Sequence, residues 1–256
     1  MKRSLSILLI FFFFAGIAKS QQELFKRNRM EAVGGIGTSQ FFGDIGGFSK
    51  TINILGLKDI SFRQTRFNVE GALKYRILNT VSVKLGLSFG MFHATDTRGS
   101  NETRGMDART LFFEPALTGE YYFIKSEKEN SYLYSKGRAG SRFKTIMSSL
   151  DIYAFTGIGG LSYNVKENAL LAAKGFPKSG FTAVIPVGVG VNMLTFPNYV
   201  FGLEIGGRYT FSDYLDAYTS QFSKSIDVYY LLTFTFTYRI PTRMNGMPSF
   251  LSKKRF

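Results

Sequence analysis

FNVEGALKYRI, residues 67–77, decides the fold. Phe67, Val69, Gly71, Leu73, Tyr75 and Ile77 alternate with Asn68, Glu70, Ala72, Lys74 and Arg76. Side chains of a β-strand point to opposite faces in turn, so this period of two makes one apolar face and one charged face. The next segment repeats it: Val81, Val83, Leu85, Leu87, Phe89 and Met91 alternate with Ser82, Lys84, Gly86, Ser88 and Gly90. Leu111, Phe113, Leu117, Tyr121 and Phe123 oppose Thr110, Glu114, Thr118 and Glu120. Phe201, Leu203, Ile205, Tyr209 and Phe211 oppose Gly202, Glu204, Gly206, Arg208 and Thr210. Tyr230, Leu232, Phe234, Phe236, Tyr238 and Ile240 oppose Thr233, Thr235, Thr237 and Arg239. Weaker strands cover residues 30–43, 152–164 and 181–193, which makes eight.

Two architectures bury one face of eight antiparallel strands. A soluble barrel of the lipocalin kind turns its apolar residues inward; a membrane barrel turns them outward. The minority face here is rich in Gly, Ser and Thr and carries Glu70, Lys74, Arg76, Lys84, Glu114, Glu120, Glu204 and Arg208. Small polar side chains suit a narrow lumen, and Phe, Leu, Val and terminal Tyr suit lipid. The fold class expected is all-β: an eight-stranded antiparallel transmembrane β-barrel with a closed narrow lumen, over residues 30–240. The eight inward charges are expected to pair and plug that lumen, because an unpaired buried charge is costly.

Connection lengths orient the barrel. Residues 78–80 and 194–198 are short; 44–64, 95–108, 165–180 and 212–227 are longer. Outer-membrane barrels place short turns inside and long loops outside. Residues 125–149 break this rule, a long excursion on the short-turn side. The charge map follows the same division. Strands and outer loops each sum to zero, whereas the inner side carries +11 when Arg239 is counted there. That surplus either solvates the termini and attracts headgroups, or forms a docking surface for an acidic periplasmic partner. The docking residues would be Lys136, Arg138, Arg142 and Lys144 in the excursion, with Arg243, Lys253, Lys254 and Arg255 in a basic tail at 241–256. Nucleic acid is a poor partner for a surface in that compartment.

The first 20 residues read as a secretory signal peptide. Lys2 and Arg3 precede an apolar run of about 13 residues, and Ala18-Lys19-Ser20 ends it in a small-x-small pattern. A spanning helix needs roughly 20 residues. Residues 21–29 then form a periplasmic linker. Cysteine is absent, so no disulfide, thiolate site or lipoprotein anchor is available, and one His excludes a His-rich metal site. No cofactor is expected. Of catalytic constellations only His93 with Ser100 and Glu102 could be assembled, and nothing fixes their spacing; a polar residue at headgroup level explains His93 as well. Gly34-Gly35-Ile36-Gly37 and Gly157-Ile158-Gly159-Gly160 lack the lysine and helix of a phosphate loop and read as strand glycines.

Several motifs carry a resemblance. They are GGIGTSQFFGDIGG (34–47), VKLGLSFGMF (83–92), DIYAFTGIGGLSYN (151–164), IPVGVGV (185–191) and GLEIGGRYTFSDYLD (202–216). In this order, over nearly the whole mature chain, they resemble the PorG-type outer-membrane barrels of the type IX secretion system. The last motif is the most specific. The resemblance implies a non-enzymatic barrel serving protein secretion and gliding motility, one that tethers a periplasmic ring of secretion proteins to the outer membrane of a Gram-negative cell. It implies no small-molecule substrate. The excursion at 125–149 is longer than the resemblance leads one to expect. The alternative is a generic OmpA-like structural or adhesion barrel acting through its outer loops, and a surface lipid hydrolase stands third.

Overall fold

The computed structural model describes residues 29–46, 62–97, 102–126, 150–196, 198–219 and 227–241. The leader, the linker up to residue 28, most of the excursion and the tail from residue 242 lie outside the described residues. Eight strands follow in order: β1 (Met30–Phe42), β2 (Arg66–Arg76), β3 (Val81–Thr95), β4 (Asp107–Ile124), β5 (Leu150–Glu167), β6 (Ser179–Phe196), β7 (Tyr199–Thr210) and β8 (Val228–Ile240). Each pairs antiparallel with its sequence neighbour, and β8 returns to β1 to close the barrel. Closure leaves no unpaired strand edge, the condition for a sheet to cross a bilayer.

The faces divide as alternation requires. Phe67, Leu73, Leu85, Leu87, Phe113, Leu117, Val187, Ile205 and Phe234 are exposed on the outer wall, while Glu70, Lys74, Lys84, Glu114, Glu120, Glu204 and Arg208 are buried within. A continuous apolar wall of this extent is foreign to soluble monomers. Aromatic rings edge it. Near the inner end Tyr199 lies 5.5 Å from Phe236 and 5.3 Å from Tyr238; near the outer end Tyr209 lies 5.7 Å from Phe211. Tyr and Phe concentrate at bilayer interfaces, where a ring meets both lipid and headgroup.

β4, β5 and β6 each run 18 residues, well beyond the 9–11 that cross the hydrocarbon. They are also longer than their alternation alone indicates. Beyond the apolar band the outer end of β3 is covered on both faces, with Phe92, His93, Ala94 and Thr95 buried in succession, whereas β5 keeps its alternation with Leu161, Tyr163 and Val165 now inward. The end of the barrel where β1 begins also holds the short connections from β2 to β3 and from β6 to β7, and there β4 ends and β5 begins. The other four connections are at the opposite end.

Two local features shape the wall. A Cβ on Gly37 would collide with the Leu232 carbonyl oxygen, and one on Gly157 with that of Leu117, so only glycine fits at these close approaches. The ladders beside Gly157–Gly160 are also broken on both sides. β4 pairs through Phe113 with Ser162 and resumes at Ala116 with Gly159. β6 pairs through Val184 with Gly159 and resumes at Val187 with Thr156. Pro115 and Pro186 sit in these gaps, and proline has no N–H to donate.

The connection lengths predict that the short-turn end faces the periplasm. Cysteine introduced at Lys174 should react with an impermeant thiol reagent on intact cells. Cysteine at Asn79 should react only after the outer membrane is opened. Labelling of Asn79→Cys on intact cells would invert the orientation.

Candidate functional site

The lumen is built in layers. At its inner end Arg76 Nη2 lies 2.5 Å from Glu31 Oε1, and Arg239 Nε lies 3.5 Å from the same oxygen. Above, Lys74 Nζ meets Glu120 at 2.9 Å. Lys84 Nζ bridges Glu204 at 2.7 Å and Glu70 at 3.1 Å. Higher still, Arg208 Nε is 3.5 Å from Glu114. All ten side chains are buried. Glu31, Glu70, Glu114, Glu120 and Glu204 thus balance Lys74, Arg76, Lys84, Arg208 and Arg239. Three buried tyrosines complete the network. Tyr122 donates to Glu120 at 3.0 Å, Tyr153 to Glu204 at 2.6 Å and Tyr229 to Glu114 at 2.5 Å. A hydrogen bond from a neutral hydroxyl supplies an acceptor oxygen without adding charge. A cavity between Glu70, Lys84, Glu114 and Arg208 measures about 20 Å³, room for about one water.

The eight inward charges read from the sequence therefore meet in the lumen. Two were missed in that role. Glu31 lies in the glycine-rich first strand, whose alternation is weak. Arg239, assigned above to the inner surface, instead turns into the barrel against Glu31. The tyrosines were missed as well, although strand parity carries the signal: Tyr122 stands between outward Tyr121 and Phe123.

The upper lumen corrects a second expectation, that apolar residues keep to the outer wall. Phe92 stacks on Phe112 at 4.3 Å, and Phe41 and Tyr229 pack against Phe92 at 5.6 and 4.6 Å. Four loop segments close over these rings with buried Ile45, Met106, Leu171, Leu215 and Ala217. Carboxylates tie the loops together. Asp216 accepts from the amides of Asp44, Ile45 and Tyr218. Asp96 accepts from Gly46 N and Arg104 at 2.9 Å each. Asp227 accepts from Leu215 N at 2.9 Å. Burial, joined by neighbouring Asp44 and Asp213 and opposed by the amides of Ile45 and Tyr218, pushes the Asp216 carboxyl up to about 7. Burial and the nearby Asp216 charge push Asp227 well up too.

His93 is held from both sides. Its Nε2 is 2.8 Å from Asp107 Oδ2 and its Nδ1 2.5 Å from Arg66 Nη2. The carboxylate partner is Asp107 rather than Glu102, which sits in a 3₁₀ turn, and Ser100 lies outside the described residues. An arginine thus occupies the position a nucleophile would need. At the inner mouth burial, then repulsion from Arg76, pushes Lys125 down to about 7. Lys136, Arg138, Arg142, Lys144, Arg243, Lys253, Lys254 and Arg255 all lie outside the described residues. Among the described residues no group of His, Asp and Glu has the arrangement to hold a metal ion.

The chain is an eight-stranded transmembrane β-barrel. A model of a family described as a domain of unknown function, DUF6089, matches residues 140–239, less than half of the chain. A search of the curated proteins finds no match. Solved barrels are similar at low identity. Neisserial surface protein A is 10% identical, with 82% of this chain and 96% of that one covered and a TM-score of 0.45. The N-terminal β-barrel domain of Pseudomonas aeruginosa OprF is 11% identical, with 83% and 99% covered and a TM-score of 0.41. A major outer membrane protein from Thermus thermophilus is 10% identical, with 82% and 99% covered and a TM-score of 0.42.

Lys84 is the cation shared by two carboxylates. Lys84→Met should strand Glu70 and Glu204 and destabilise the barrel by about 3–5 kcal/mol. The urea midpoint of heat-modifiable gel migration measures this; a loss under about 1 kcal/mol, the range of exposed pairs, would show that the site is wet. The cap gives a pH dependence of opposite habit to most carboxylates. Below about pH 4 Asp216 is neutral folded or unfolded. As pH rises from there to about 7, the unfolded carboxyl ionises while the folded one keeps its proton, so cap stability falls and then levels off. Hydrogen exchange at the Ile45 and Tyr218 amides, corrected for intrinsic rate, should show less protection at pH 7 than at pH 5. Asp216→Asn should flatten that difference.

Proposed function

We propose that this chain is a non-conducting, non-enzymatic outer-membrane barrel, exported by a signal peptide, that works through its two ends. The observation that carries this reading is the sealed lumen: five ion-paired carboxylates below, stacked Phe41, Phe92 and Phe112 above, and space for about one water between. A barrel so filled offers no solute path, and its wall offers no nucleophile at His93.

Of the two ends, the outer one carries the built structure. Four loop segments share one apolar core, and Asp96 and Asp216 tie the first of them to the second and the fourth. A rigid cap presents a fixed surface at low entropic cost, which suits a partner outside the cell. This supports an OmpA-like structural or adhesion barrel acting through its outer loops. A second reading gives the work to the inner end, as a PorG-like anchor that holds a periplasmic ring of the type IX secretion machine. It is supported by the sequence resemblance running from residue 34 to 216 and by the basic inner surplus.

Mild detergent extraction separates the two. The outer-loop reading expects the barrel to purify alone. The secretion reading expects acidic periplasmic ring proteins to come with it, and to be lost when Arg138, Arg142, Lys144, Lys253, Lys254 and Arg255 are all changed to Glu. Exposed pairs contribute roughly 0.2–1 kcal/mol each, so single reversals should do little. Heat-modifiable migration controls for folding. Steady single-channel currents from the purified protein would overturn the premise common to both readings.

A further inference from the structure

The register between strands sets outward-facing residues side by side in rows. Phe89, Phe113 and Ser162 form one row across β3, β4 and β5. Met91, Leu111 and Asn164 form the next, one step toward the outer end. His93, Arg109 and Lys166 form the third. Phe89, Phe113 and Leu111 are exposed apolar side chains of the lipid-facing wall. The third row therefore stands just beyond the outer edge of the apolar band, at the height of the headgroups.

That row is cationic. Arg109 and Lys166 are direct cross-strand partners and both are exposed. The Arg66 guanidinium rests against His93. Among the described residues Asp107 is the carboxylate in contact with the group; it is 2.8 Å from His93 Nε2 and 4.0 Å from Arg109 Nε. Glu167, next along the strand, is taken by Lys178 at 2.5 Å. Among the described residues Lys166 makes no ion pair. Like charges set directly opposite across an antiparallel pair repel. Here two are held together at the edge of a low-dielectric wall, where an intervening anion gains most.

We propose that Arg109 and Lys166 bind the phosphate of an anionic outer-leaflet lipid. A guanidinium takes two phosphate oxygens in parallel, and an ammonium serves as a point charge beside it. The acyl chains then lie along Leu111, Phe113, Met91 and Phe89, a continuation no free phosphate has. The site depends on the membrane placement of the barrel and on neither reading of its function.

The test uses the full-length protein in an uncharged detergent. The probes are lipid A, an acylated disaccharide with two phosphates, and the same lipid with both phosphates removed. Native mass spectrometry should show the phosphorylated form retained about tenfold better, and Arg109→Gln/Lys166→Gln should erase the preference. Without lipid, Lys166→Gln should raise the melting temperature by relieving repulsion, yet lose the further rise that lipid A gives the wild type. Heat-modifiable migration reports folding, and the single variants carry the comparison if the double one does not fold. Equal retention of the two lipids, or an unchanged preference in the variants, overturns the site. So does a Lys166→Gln protein less stable than wild type without lipid. Displacement of lipid A by millimolar inorganic phosphate would make this a free-phosphate site and overturn the lipid assignment.

Discussion

A lumen with room for about one water must neutralise its own charge. An ionised side chain in such a space has no solvent to turn to, so each needs an opposite charge within contact distance and donors for its remaining oxygens. Glu70, Glu114 and Glu204 take lysine, arginine and tyrosine from other strands, and Glu120 takes Lys74 from β2 and Tyr122 from its own strand. The pairs join residues distant in sequence: Lys84 on β3 reaches Glu204 on β7 across the barrel. A one-residue slip of either strand would turn its charge to lipid and leave its partner alone inside. The ion pairs therefore fix register as much as they fill space, and the apolar outer wall follows from the same alternation.

The filled interior separates the ends of the molecule. What happens at the long-loop end reaches the short-turn end only through the wall or not at all. At the outer end the change from charge to aromatic packing occurs within one step of strand: Glu114 is ion-paired, and Phe112, two residues on, stacks on Phe92. Tyr229 spans the change, its ring against Phe92 and its hydroxyl on Glu114. Above it the loops have a core of their own, which explains why buried acids such as Asp216 and Asp227 are tolerated there: backbone amides supply the donors that water would.

Much of this was legible in the sequence. The alternation from Phe67 to Ile77 and from Val81 to Met91 assigned faces correctly because those strands have lipid on one side and charge on the other. Connection lengths separated the two ends of the barrel, short turns at one and longer connections at the other. β5 and β6 exceed the lengths read from the sequence because their outer ends leave the apolar band; in β5 Leu161, Tyr163 and Val165 turn inward while Ser162, Asn164 and Lys166 face out, so the period persists with its polarity reversed. Glu31 was obscured by its glycine-rich strand. The aromatic plug was obscured for a different reason: Phe41, Phe92 and Phe112 look like lipid-facing residues by composition, although parity with outward Met91, Leu111 and Phe113 places Phe92 and Phe112 inside. The Asp216 hub depends on contacts between residues more than 170 apart in sequence, which no local pattern encodes. The basic inner residues fall in segments where alternation says nothing.

The missing rungs around Gly157–Gly160 have a mechanical consequence. A hydrogen-bonded cylinder resists change of cross-section because every strand is tied along its length to both neighbours. Here one stave is untied on both sides at mid-height, beside Pro115 and Pro186, and its own residues carry almost no side chain. Bending is cheapest there. When the bilayer thickens, thins or squeezes laterally, the wall can become oval by yielding along β5, while the fully laced seam between β1 and β8 keeps its shape.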